Sequence, residues 1–375
     1  MIFKNLSLFN FKNFETLDIG FEKGLNCFTG HNGAGKTNIL DALHYLSITK
    51  SSINAVDSAN IKFDEELFII KSAVEINKKK HVVSCSVQLG KKKEVRVDKK
   101  EHEKLSEHIG LFPLVMISPN DSDLIYDSNE IRRRFFDSAM SQSNKAYLRH
   151  LIAYNFALKN RNALLKQFSD SGRLDSDLLQ TYTSQLIEHG TPIYEERANY
   201  LNQFLDFFEQ HYASLQSQNE SVSITYESQL SEGSLKDRYN QSLQRDKVLQ
   251  RTNVGIHKDG FLFTIFDKPL KRHGSQGQQK SFLIALKLAQ YDLLASQKNL
   301  KPALLLDDVF DKLDDERMQM LLKKVTHETY GQLFITDARP ERTMALLEHN
   351  QLKARIFEIE KGKVQNTTDY EPTQK

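Results

Sequence analysis

Gly30-His31-Asn32-Gly33-Ala34-Gly35-Lys36-Thr37 holds every fixed position of the pattern GxxxxGK(S/T). Glycines let a backbone curl until consecutive N–H groups face one point, and a helix that follows adds its positive N-terminal end. Both flanks suit that reading. Leu25–Thr29 is a short apolar run expected to form a buried strand, and residues 38–48 have helical spacing. Such a loop cradles the phosphates of a nucleotide, here expected to be ATP. Lys36 is then expected to reach the β- and γ-phosphates, and the Thr37 hydroxyl to ligate Mg2+. A chance glycine turn is the plainer reading; the strand before it and the helix after it weigh against that.

Farther along, Ala303-Leu304-Leu305-Leu306-Asp307-Asp308 is an apolar strand ending in two carboxylates, the usual second half of a P-loop site. Asp307 is expected to hold the metal, directly or through water, and Asp308 to orient or deprotonate the attacking water. By itself this is equally a strand that ends in a solvated acidic turn. Paired with the glycine loop, it reads as catalytic.

Two further segments narrow the class. Gly274-Ser275-Gln276-Gly277-Gln278-Gln279-Lys280-Ser281 precedes an amphipathic run (Phe282, Leu283, Leu286, Leu288, Ala289, Leu293) shortly before Asp307. It resembles the signature motif of the ABC ATPases, in which a serine and a glycine at a helix N-terminus donate to a γ-phosphate. The resemblance implies that Ser275, Gly277 and Gln278 meet ATP held by an opposite subunit, so that the site is complete only in a head-to-tail dimer. Asp311-Lys312-Leu313-Asp314 resembles the D-loop, with Asp314 at the dimer seam. Its plain reading is a helix N-cap, and both can hold.

Within the ABC class the chain resembles the branch of RecF and the structural-maintenance-of-chromosomes proteins. The residues that carry this are Asn10-Phe11-Lys12-Asn13-Phe14, Ser275-Gln276-Gly277-Gln278-Gln279-Lys280, Ile117-Ser118-Pro119-Asn120-Asp121, Arg132-Arg133-Arg134-Phe135-Phe136-Asp137 and Gly255-Ile256-His257-Lys258-Asp259. They run in the family's order from residue 1 to about residue 340. The resemblance implies an α/β ABC-type head, a mixed sheet flanked by helices with an antiparallel β lobe, interrupted by a helical insertion. It also implies ATP-driven dimerisation on single-stranded or gapped duplex DNA, with release on hydrolysis. Partners would be RecR and RecO type mediators in loading recombinase at gaps, in support of the SOS response. One departure is plain: many ABC ATPases carry a histidine after the last core strand, where this chain has Ile335-Thr336-Asp337. An ionised Asp337 cannot donate to a γ-phosphate, so slow hydrolysis is expected. Asn120 is the candidate for the Q-loop position.

The whole chain bounds these readings. With 51 basic against 49 acidic residues, DNA affinity must come from local patches. Its two cysteines form no CxxC pair, which argues against a zinc site or disulfide framework. No apolar run approaches the roughly 20 residues that span a bilayer, so a cytoplasmic protein with no membrane partner is expected. The domain reading is 1–118 for the first part of the ATPase domain, 119–250 for a helical arm, 251–364 for the second part, and 365–375 for a disordered tail. In the last part, helix is expected at 277–296 and 314–327, and strand at 261–266 and 333–336. The stretch from Thr37 to Ser275 is too long for a compact transporter ATPase and too short for a long coiled coil.

Between Lys78 and Lys104 there are ten Lys/Arg against four Asp/Glu. On a β-ribbon the run Lys91-Lys92-Lys93 suits DNA phosphates without reading sequence. Lysines at hairpin turns also keep edge strands from aggregating. Arg132, Arg133 and Arg134 cannot share one helix face, so at least one is expected to pack or pair internally. His257 fits a turn as well as a site. Three rivals remain: an ABC subunit of a transporter-like complex, disfavoured by the long insertion; a GTPase or kinase, disfavoured by the missing NKxD; and an inert DNA clamp, disfavoured by intact Lys36, Thr37, Asp307 and Asp308.

Overall fold

Leu25–Thr29, Leu114–Ile117, Ala303–Leu306 and Leu333–Asp337 are buried along their whole length, as inner strands of a parallel sheet must be. The computed structural model describes residues 1–171, 175–216, 220–309, 315–326 and 330–372. In it these strands join a six-stranded sheet in the order Lys363–Tyr370, Ala354–Glu360, Leu25–Thr29, Leu333–Asp337, Ala303–Leu306, Leu114–Ile117. Neighbours run parallel except Lys363–Tyr370, which is antiparallel to Ala354–Glu360. A second, antiparallel sheet of seven strands is built from Asn5–Phe11, Phe14–Gly20, Leu67–Ile76, Lys79–Gln88 and shorter pieces. In Asn5–Phe11 burial alternates, as expected where one face of a sheet is covered.

The helix Lys36–Ile48 packs on both sheets. Its Ile39, Leu40, Leu43 and Leu46 share one core with Phe68 and Val83 of the antiparallel sheet and with Phe28 and Phe334 of the parallel one. Phe28 also stacks on Phe357 with ring centroids 5.1 Å apart. Because the sheet is parallel, the residues that follow Leu25–Thr29, Ala303–Leu306 and Leu333–Asp337 emerge at one edge, where α/β sheets place their ligands.

All of this belongs to one unit: Met1–Asp121, His211–Leu215 and Lys280–Lys375. The other unit is Ser122–Gln210 with Gln216–Gln279. It holds the helices Asn129–Ser143, Lys145–Ser171 and Leu235–Leu249, much of Ser176–Leu215, and a three-stranded sheet. Phe136 stacks on Phe261 in its core at 4.1 Å. Buried arginines tie it together. Arg197 pairs with Asp137 and Asp259, and Arg161 with Asp246 at 2.7 Å.

Two expectations change, and one element is added. Residues 251–279 go with the second unit rather than with the ATPase domain, because Gly260–Ile265 pairs antiparallel with Val222–Glu227, a strand not anticipated inside the helical arm. The segment expected to be a disordered tail from residue 365 is largely strand: Lys363–Tyr370 pairs with Ala354–Glu360, and Arg355 Nε donates to Asp369 Oδ1 at 2.6 Å. The helix Pro340–His349 was also not foreseen. Among the described residues, no helix is long and apolar enough to cross a membrane.

Candidate nucleotide-binding site

Gly30 and Gly35 adopt φ of 141° and 117°, conformations that L side chains rarely enter. Space forbids a side chain as well: a Cβ on Gly30 would lie 2.1 Å from Ile359 O, and one on Gly35 2.6 Å from Asn13 Nδ2. The loop is therefore glycine-dependent on both counts. The helix that follows starts at Lys36 with Gly35 as its N-cap and no side-chain capping bond, leaving that end suited to an anion.

Lys36 is buried, and its Nζ donates to Gly30 O at 2.6 Å and His31 O at 3.0 Å. Thr37 Oγ1 donates to Asp307 Oδ1 at 2.8 Å, across 270 positions of sequence. Thr336 Oγ1 donates to the same oxygen at 2.8 Å and accepts from Asp308 N at 2.8 Å. Burial raises the pKa of Asp307, opposed by the Thr336 and Thr37 hydrogen bonds. Asp308 holds φ of 48°, a strained setting of the kind found at functional sites. Asn32, Gly33, Lys36, Thr37, Asp308 and Thr336 line a cleft of about 150 Å³. A hydroxyl and a carboxylate in hydrogen-bond contact are hard oxygen donors that fit Mg2+, a cation that takes few protein oxygens and keeps several waters.

A family model described as RecF/RecN/SMC N terminal domain matches residues 2–363. The DNA replication and repair protein RecF of Flavobacterium johnsoniae is 45% identical, over 96% of this chain and 100% of its own length. That of Cytophaga hutchinsonii is 43% identical, over 98% and 97%. The chain belongs to the RecF family. A solved structure titled as RecF-ATP in the RecFOR pathway superimposes with a TM-score of 0.88 at 29% identity, covering 98% of this chain and 97% of that one. An Smc head bound to the C-winged helix domain of ScpA shares the fold at a TM-score of 0.57 and 15% identity, with 99% and 98% covered.

The RecF family landmarks divide into two kinds. Lys36, Thr37, Asp307 and Asp308 meet in the first unit. Ser275, Gly277 and Gln278 belong to the second, where Ser275 caps the helix Gln276–Lys298 reciprocally. Ser275 N donates to Gln278 Oε1 at 2.7 Å, and Gln278 N to Ser275 Oγ at 3.2 Å. Gln278 also donates to Glu220 Oε1 at 3.0 Å. Asp314 lies outside the described residues.

Other landmarks hold the second unit together. Arg132 donates to the carbonyls of Leu124, Ile125 and Phe261. Arg133 reaches Asp259 O, and Arg134 pairs with Glu130 on the surface. His257 lies between Tyr154 Oη and Thr252 O at 2.7 and 3.1 Å. Asp259 accepts from Tyr226, Ser228 and Arg197. The expectation that one arginine packs internally holds for Arg132.

Lys93 is a correction. It is not part of a cationic edge: its Nζ turns inward to Thr49 O and Asp57 Oδ2, both at 2.7 Å. The reason is geometric, since residue 93 follows the hairpin turn and faces the helix Lys36–Ile48. Lys91 and Lys92 are exposed. Asp337 is buried and bound by Arg342 and Thr343. Asn120 sits exposed in the turn Pro119–Ser122. Thr336 and Asn38 line the cleft although the motif pattern did not single them out. Thr336 stood beside the noted Asp337, and Asn38 directly after the loop.

Proposed function

We propose that this member of the RecF family binds Mg2+–ATP at the loop Gly30 to Thr37, dimerises head to tail around it, and hydrolyses it slowly to ADP and phosphate on DNA. The observation that carries the reading is the convergence of Lys36, Thr37, Asp307 and Asp308 on one cleft. Lys36 exchanges its bonds to Gly30 O and His31 O for phosphate oxygens. Thr37 and Asp307 hold Mg2+, which when bound offsets the charge building on the phosphates. Asp308 orients or deprotonates the attacking water. Ser275, Gly277 and Gln278 of one subunit meet the γ-phosphate of the other, with Asp314 at the seam. Asp337, committed to Arg342 and Thr343, leaves no donor of the histidine kind, which supports slow turnover.

The relatives named as DNA replication and repair proteins, and the structures titled as part of the RecFOR pathway, support work in recombinational repair. There the partners are gapped or single-stranded DNA and RecR and RecO type mediators, in the cytoplasm. Lys91 and Lys92 are the DNA-phosphate candidates that remain. The transporter alternative loses its footing, because the full-length matches run to RecF.

Light scattering with ATP tests the dimer. Asp308→Asn is expected to bind Mg2+–ATP, fail to activate water and accumulate dimers. Ser275→Arg is expected to bind ATP as a monomer and not hydrolyse it. A Ser275→Arg protein that dimerises and turns over ATP normally removes the composite site.

A further inference from the structure

A phosphate loop aims its N–H groups inward, so its carbonyls point away from the anion and need other partners. Ala34 O is such a carbonyl. It accepts from Asn13 Nδ2 at 3.0 Å and from Gly362 N at 3.0 Å, donors far apart in sequence. The Ala34–Gly35 peptide is planar and trans, so a carbonyl tied down on one side turns the Gly35 N–H to the other. Gly35 lines the cleft.

Asn13 is itself held in place. Its Oδ1 accepts from Asn38 Nδ2 at 2.7 Å. A Cβ on Gly35 would lie 2.6 Å from its Nδ2, and a Cβ on Gly362 2.5 Å from its backbone oxygen. The neighbouring Lys12, at φ 54°, places Nζ 2.7 Å from Asp41 Oδ2, a buried carboxylate that also accepts from Ser51 and Ser52. The turn is thus anchored to the helix Lys36–Ile48 at two points, Asn38 and Asp41.

We infer that Asn13 is a positioning residue for ATP: through Ala34 O it sets the Gly35 N–H toward the phosphates before nucleotide arrives. This rests on the ATP-binding reading and adds to it a residue outside the motif. Asn13 is exposed, so its side chain is removable without opening the core.

The test titrates the full chain with a fluorescent N-methylanthraniloyl ATP and Mg2+, and melts the same proteins without nucleotide. Losing one neutral hydrogen bond from a ligand-facing loop, Asn13→Ala is expected to weaken binding about three- to tenfold. Its nucleotide-free melting temperature should stay near wild type. Wild-type affinity in Asn13→Ala overturns the inference, whether or not the variant melts lower. Lys36→Ala separates the two levels. If it abolishes binding while Asn13→Ala does not weaken it, the ATP reading stands and Asn13 has no such role. A wild-type protein that binds no analogue removes both.

Discussion

Burial pushes the pKa of His257 down to about 4, from 6.5 in an unfolded chain. Between those values the unfolded chain takes a proton that the folded chain refuses. The stability this neutral histidine contributes is therefore complete above pH 6.5 and is lost as pH falls toward 4, by about 1 to 3 kcal/mol. Urea unfolding at pH 7 and pH 5 checks it: His257→Gln should show a shallower loss than wild type. Equal losses in the two proteins assign the acid sensitivity to other groups. No spacing rule announces this role, because Tyr154, 103 positions away, meets His257 only once its helix is packed. Lys36 was legible for the opposite reason, since its partners Gly30 O and His31 O lie in the loop itself, while Thr37 was legible from its place in the motif although its partner Asp307 is 270 positions away. Asn13 stood in a noted motif, yet its bond to Ala34 joins a strand turn to the phosphate loop, which sequence alone does not bring together.

At the scale of elements, the hairpin between Lys79–Gln88 and Glu94–Val97 separates two kinds of lysine. Changing Lys91 and Lys92 to Glu should lower DNA affinity and flatten its salt dependence, by about 0.9 in log–log slope for each duplex phosphate the protein no longer neutralises. Lys93→Glu should instead lower the melting temperature, because it sets a carboxylate against Asp57 in a mostly buried place. Salt titrations and thermal melts of both proteins would show whether the division is real; a double Glu variant that binds DNA like wild type leaves the hairpin with only an edge-protecting role. The apolar strands Leu25–Thr29 and Ala303–Leu306 were readable because burial on both faces demands unbroken apolar runs. Lys363–Tyr370 was not, since this edge strand is almost wholly polar and lacks the apolar alternation that marks a half-buried strand. Val222–Glu227 alternates as a strand should, but its partner Gly260–Ile265 lies beyond another helix.

At the scale of the whole chain, the first unit is closed by segments far apart in sequence. Phe3 N donates to Gln332 Oε1 across 329 positions, and the strand before the phosphate loop pairs with Ala354–Glu360 on one side and Leu333–Asp337 on the other. The two-unit layout was partly legible, because the motifs mark the ATPase segments, while the true edges depend on strand pairing. This topology bears on how the protein is made. A ribosome adds roughly 5–20 residues per second, and domains usually fold as they emerge, N-terminal first. Here the loop Gly30 to Thr37 leaves the exit tunnel early, yet Gly362, one of the two donors that tie down Ala34, is among the later residues translated. Nascent chains stalled after residue 349 should therefore hold no nucleotide despite carrying every sequence motif of the site, and filter binding of labelled ATP to purified stalled complexes would show it. Retention of ATP by those complexes would mean the site matures without its last two strands. Otherwise the cell's ATP meets this site only after Gly362 has been made, and a nascent chain that stops short of it carries the phosphate loop with one of the two donors to Ala34 missing.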